Sequence, residues 1–259
     1  MVLEWMLKAR EDRKHPLTIF IFSVFVSLIA MLISYFVFKE STGIFTIVLI
    51  SLALVSFINS MFLLEEKETE QFGERQNFFE RHGDIISAFT AMFLGMTLAM
   101  SFVFLLLPDN VAEKVFEDQV REVRLIQGKF TFTSQFSEIL FNNLSVLSLS
   151  FLLSFLLGTG AILILSWNAS VLSAAIGMIA KSLGGLKGMP IAVLTFLPHG
   201  VFELTAYFIG AIGGGLISVA VMKKNSKFWF ILKDSATLFA ISLILLVIGG
   251  LIETIILTT

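Results

Sequence analysis

From residue 139 to residue 180 the chain carries no charged side chain. As a single α-helix at 1.5 Å per residue, this run would be about 63 Å long, twice the hydrocarbon core of a bilayer. It must therefore turn. Gly158-Thr159-Gly160 is the place, because closely spaced glycines punctuate helices. The run reads as a tight hairpin of two membrane spans, 139–157 and 160–180.

Five further apolar segments reach the roughly 20 residues a span needs. They cover 17–38, 44–64, 85–107, 198–222 and 235–257. The expected fold is all-α: a polytopic transmembrane helical bundle of about seven spans, forming one integral membrane domain over 1–259. Composition points the same way. The chain is 56% hydrophobic with 28 phenylalanines, and its mean hydropathy is +0.91. Only 15% of residues are charged, against about 25% in soluble domains. Lipid must solvate the apolar surplus, because a soluble core of this length cannot bury it. The first apolar run is about 22 residues, longer than a signal-peptide core and without a cleavage pattern, so it reads as a retained helix. Membrane lipids are thus the expected partners. A net charge of −2 argues against nucleic acid. The absence of cysteine excludes disulfides and thiolate chemistry.

The connections differ in kind. Residues 65–84 form a charged linker of mixed sign. Residues 110–130 are the longest polar stretch, yet Val111, Val115, Phe116, Val120, Val123 and Ile126 recur there at roughly helical spacing. That pattern suggests an amphipathic helix lying on the membrane or the bundle, or else a solvated loop helix. Lysine and arginine counts set orientation. With the N-terminus in the cytoplasm, 11 of the 18 lie inside and the other seven outside. The expectation is a multi-pass protein of the cell membrane with a cytoplasmic N-terminus.

Ionisable groups inside spans are costly and therefore informative. The densest cluster begins Pro198-His199-Gly200 and continues through Glu203 to Ala206. Proline is preorganised for the first turn of a helix, so Pro198 is expected at a helix start. Four residues separate His199 from Glu203, which places them on one face. The pair can share a proton or form an ion pair, or it can pin the helix to a neighbour. Upstream, residues 183–190 are rich in glycine and proline, and the apolar segment 191–197 is too short to cross. Residues 191–197 therefore read as re-entrant or as an interfacial connector. Asn143 near the start of the fourth span and Asn168 midway along the fifth complete a candidate intramembrane polar site. Asparagines in spans commonly hydrogen-bond to a neighbouring helix.

Ala206, Gly210, Gly214 and Ser218 recur every fourth residue, a small-residue face that lets another helix approach closely. Ser150, Ser154 and Gly158 form a shorter version. Such faces serve packing, within the chain or in a homodimer. No metal site is expected: there are three histidines, His15, His82 and His199, and His199 with Glu203 alone does not make a zinc site of three or four ligands. No nucleotide loop, zincin motif or serine triad is present, so no cofactor and no enzymatic activity are expected.

The element Pro198-His199-Gly200-x-x-Glu203-x-x-Ala206, the glycines from Gly210 to Gly215, Phe141-Asn142-Asn143-Leu144 and Asn168 together resemble the stage II sporulation protein M family over 131–222. The resemblance implies a multi-pass membrane protein that anchors or scaffolds a cell-envelope complex, with itself or other envelope proteins as partners. The alternative, from the His199 and Glu203 pair, is a transporter or channel for an ion, proton or lipid-like substrate.

Overall fold

The computed structural model describes residues 15–72, 77–128 and 135–258. Among them are nine α-helices and no strand. In chain order they are α1 (Pro16–Val37), α2 (Thr42–Phe72), α3 (Phe78–Leu106), α4 (Asp109–Val115), α5 (Glu117–Gly128), α6 (Gln135–Leu157), α7 (Ala161–Ser182), α8 (Met189–Lys223) and α9 (Phe228–Thr258). Seven of these, all but α4 and α5, are long and apolar enough to cross a membrane.

Local chemistry accounts for the boundaries. Pro16 opens α1 at a position where its missing N–H has no intrahelical partner. Asn77 caps α3: its side chain accepts from the Glu80 amide while Glu80 accepts from the Asn77 amide, both at 3.0 Å. Between α6 and α7 the chain reverses at Gly158, whose φ of +69° suits glycine. The expected hairpin therefore stands, turned where the glycines are.

α8 is the centre of the bundle. It packs between α6 and α9 along much of its length, while α1, α3 and α7 form a second group beside it and α2 bridges the two. An aromatic layer joins the groups. Phe208 of α8 lies 5.5 Å from Phe93 and 6.3 Å from Phe89, ring to ring, and Phe89 lies 5.8 Å from Phe62. All four rings are fully buried. Aromatic pairs at such separations contribute about 0.5–1.5 kcal/mol beyond area burial.

The polar stretch after the third span is two helices, α4 and α5, broken at Phe116. Val115, Phe116, Val120 and Val123 are buried in the main core, and Phe116 meets Phe104 at 5.1 Å. This amphipathic segment therefore lies on the bundle and is not a solvated loop. The side chain of Ile126 is outside the described residues.

One expectation is overturned. Residues 191–197 are neither re-entrant nor a connector; they are the first turns of α8, and Pro198 lies inside that helix. The helix starts instead at Met189, with Pro190 in its first turn, after Gly184 and Gly185 turn the chain with φ of +93° and +76°. Pro198 leaves the Leu194 carbonyl without its usual donor, which a packed membrane helix tolerates. Exposed Ile191, Leu194 and Leu197 show a lipid-facing flank on a continuous helix. At 35 residues, α8 is about 52 Å long and must tilt or project beyond the bilayer core.

The small-residue face is spent within the chain. A β-carbon at Gly210 would meet Leu147, one at Gly214 would meet the Phe151 carbonyl and Ser154, and one at Gly158 would lie 3.8 Å from the Ser218 hydroxyl. The two small-residue stripes, on α6 and α8, thus pack on one another, and the close approach needs the missing side chains.

Candidate functional site

His199 and Glu203 sit one turn apart in α8, on one face as their spacing requires. A third group completes the cluster. Glu253 of α9 brings a carboxylate oxygen so that one ligand atom from each of His199, Glu203 and Glu253 lies within 4.8 Å of the others. α8 and α9 run antiparallel, and Gly249 is where they touch. A β-carbon there would stand 2.6 Å from the Glu203 Cγ and 3.3 Å from the His199 carbonyl oxygen. One turn beyond Gly249, Glu253 faces the same pair. Asn143 of α6 lies beside the Glu203 carboxyl.

Glu203 and Asn143 are buried, His199 and Glu253 are half-buried, and several of the cluster's polar atoms make no hydrogen bond. Glu203 is 9% exposed and Asn143 is 7% exposed. Glu203 Oε1, His199 Nδ1 and Asn143 Nδ2 are all buried without a hydrogen-bond partner. Native interiors rarely leave such groups unmade.

These atoms face a cavity of about 1150 Å³ bounded by α3, α5, α6, α7, α8 and α9, with Phe20 of α1 also on its wall. His199, Glu203, Glu253, Asn143 and Asn168 all line it. The sequence reading placed four of these five in one site, and the cavity unites them. Asn168 plays a lesser part: its amide donates to the Ile164 carbonyl of its own helix at 2.7 Å, not to a neighbouring helix. Among the described residues the lining includes four glutamates, Glu122, Glu138, Glu203 and Glu253, and no lysine or arginine. Apolar walls and acidic side chains characterise the space. Lining residues Phe141, Leu197 and Val201 are more than half exposed, so the cavity reaches the surface of the bundle on this flank. Gly200 lines it too, and a β-carbon there would meet open space. Pro198 lies on the exposed flank of α8, whereas Ala206 is in the core.

Glu253 and Gly249 were missed from sequence. A lone carboxylate in an otherwise apolar last span was the available signal for Glu253. Nothing local marks Gly249 apart from Gly250 beside it.

A second buried polar cluster lies at the opposite ends of the helices. His82 of α3 is 0% exposed, with Nδ1 2.6 Å from Glu65 of α2 and Nε2 2.9 Å from Asp234 of α9. Arg81 reaches Asp234 at 2.9 Å, and Lys223 reaches buried Glu66 at 2.8 Å. Only the imidazolium form of a histidine donates from both nitrogens. Within the charged linker expected at 65–84, Glu65, Glu66 and His82 thus form part of a buried clasp joining α2, α3 and α9.

Residues 85–256 match the family described as Stage II sporulation protein M. This chain belongs to that family. The match starts with the third span and runs to the end of α9, so the SpoIIM region is wider than the 131–222 resemblance and includes both Gly249 and Glu253. The chain is also 31% identical over 166 residues to an uncharacterized protein of Methanocaldococcus jannaschii, covering 61% of this chain and 88% of that protein. No solved structure matches.

Proposed function

We propose that this SpoIIM-family protein binds and carries a cation through the cavity, with Glu203 as the principal binding group. The supporting observation is the cavity itself: the buried carboxylate of Glu203, the half-buried one of Glu253 close to it and an imidazole at its polar end, with no basic side chain among the described lining residues. A cation, or a proton held between the carboxylates, relieves their repulsion in a low-dielectric site. Intramembrane carboxylates that face a cavity commonly mark ion or proton paths. The scaffold reading draws on the packing faces and on the family, but Gly210, Gly214 and Ser218 are occupied by α6. They leave no open surface for another protein or a second copy.

The lysine and arginine bias supports a cytoplasmic N-terminus in the cell membrane. The His82 clasp then lies at the cytoplasmic end, and His199, Glu203 and Glu253 lie in the outer half.

Purified protein reconstituted in liposomes tests the reading. Entrapped indicators for protons, sodium, potassium and divalent ions should report a flux above empty vesicles for at least one cation. Glu203→Gln should abolish it while folding normally. Gly200→Phe, which places a ring in open cavity space, should slow it. Vesicles with no cation flux above background would overturn the reading and return the scaffold role to first place.

A further inference from the structure

We infer that His199, Glu203 and Glu253 form a divalent transition-metal site of the zinc or manganese class. The inference rests on the cation reading of the cavity and names the cation.

The donor set carries the argument. One imidazole nitrogen and two carboxylate oxygens form a mixed N/O set, and imidazole suits transition metals over magnesium, calcium or the alkali ions. Two carboxylates and one dication sum to zero charge, which suits a site at this depth. The ligand atoms stand within 4.8 Å of one another. Around a tetrahedral zinc with bonds near 2.1 Å, ligand atoms are about 3.4 Å apart. The remaining gap, about 1.4 Å at most, is on the scale of a side-chain torsional change and asks for no helix movement.

Three features point to a ligand and not to a structural ion pair. The Nδ1 of His199 and Oε1 of Glu203 are buried atoms that make no hydrogen bond, so one donor atom at each of these residues is left unused, while the Glu203 carboxyl also lies against Asn143 and Glu253. Glu203 is itself only 9% exposed. Asn143 lies against the Glu203 carboxyl, in the position of an outer group that orients a ligand. Gly249 then explains itself: its missing side chain leaves the space in which the Glu203 side chain sits. Three protein ligands leave a coordination position open toward the cavity, as in sites that exchange ligands and unlike closed structural ones. A carried ion needs that open position to enter and leave.

Chelator-stripped, detergent-purified full chain, titrated separately with Zn²⁺ and Mn²⁺ by equilibrium dialysis and elemental analysis, tests the site. The expected result is saturable binding of one ion per chain, weakened about tenfold or more by His199→Ala and by Glu253→Gln, and unchanged by His15→Ala. X-ray absorption of the wild-type zinc complex should show one imidazole with oxygen donors, a readout that needs no variant to fold. No saturable binding of either ion, undiminished binding in the His199→Ala/Glu253→Gln double variant, or a spectrum with two or more imidazoles would each overturn the inference. The outcomes separate it from the transport reading. Stoichiometric metal with silent liposomes leaves the site standing and removes carriage. Glu203-dependent proton or sodium flux without divalent binding keeps carriage and removes the metal.

Discussion

Gly249 has no side chain, and the Glu203 side chain, its Cγ nearest, fills the space where one would be. Gly249→Ala should therefore push Glu203 out of place while leaving the rest of α9 unaltered. The expected outcome is a loss of cation binding or flux comparable to Glu203→Gln, with the protein still folded by gel filtration; full activity in Gly249→Ala would show that Glu203 is not held there. Glu203 itself separates a fixture from a binding group. If it only pins helices, Gln should serve as well as Glu in every assay and Leu should not. The cavity reading expects Gln to keep thermal stability and lose function. His82 works differently. It bridges Glu65 and Asp234 at 2.6 and 2.9 Å in a fully buried position. Removing one member of a buried ionic cluster costs about 3–5 kcal/mol. His82→Leu should lower thermal stability by that order, and an unchanged unfolding temperature would show that the clasp contributes nothing.

At the scale of elements, the close pairing of α6 with α8 is the most exposed to test. Leu147, Phe151 and Ser154 of α6 lie against Gly210 and Gly214 of α8. Gly214 faces a backbone carbonyl, which cannot rotate away as a side chain can. Gly214→Leu must separate the two helices, an overpacking that costs about 1–3 kcal/mol and occasionally more. Gly200→Leu, one face round and open, should cost little. Equal thermal stability of the two variants would contradict the packing. The same contrast explains what was legible here. The four-residue spacing of small groups announces a close helix contact, but not whether the partner is α6 or another chain. Pro198 shows the opposite error. Proline favours helix starts because it lacks an N–H, yet the same preference applies to Pro190, and the left-handed Gly184 and Gly185 let the helix begin at Met189 with Pro190 in its first turn.

For the whole molecule, the alternation of spans puts the α4–α5 segment and the loop between α8 and α9 on opposite sides. Because the chain has no cysteine, single cysteines at Asn110 and Ser226 are clean probes. Impermeant thiol reagents applied outside intact cells should label Asn110 and not Ser226; labelling of both from one side refutes the topology. Sequence alone determined the number of spans, the hairpin at Gly158 and the face shared by His199 and Glu203. Each follows from a local rule: hydrocarbon thickness sets helix length, glycine permits the turn, and 3.6 residues per turn align positions four apart. Tertiary structure decided the rest. Glu253 joins a site some 50 residues upstream only because α9 packs antiparallel against α8, and His82 meets Asp234 across 152 residues of chain. Such pairings depend on which helices touch and at what height. That is fixed by the fit of side chains such as Phe62 against Gly215 and Glu203 against Gly249, and no spacing within one helix encodes it.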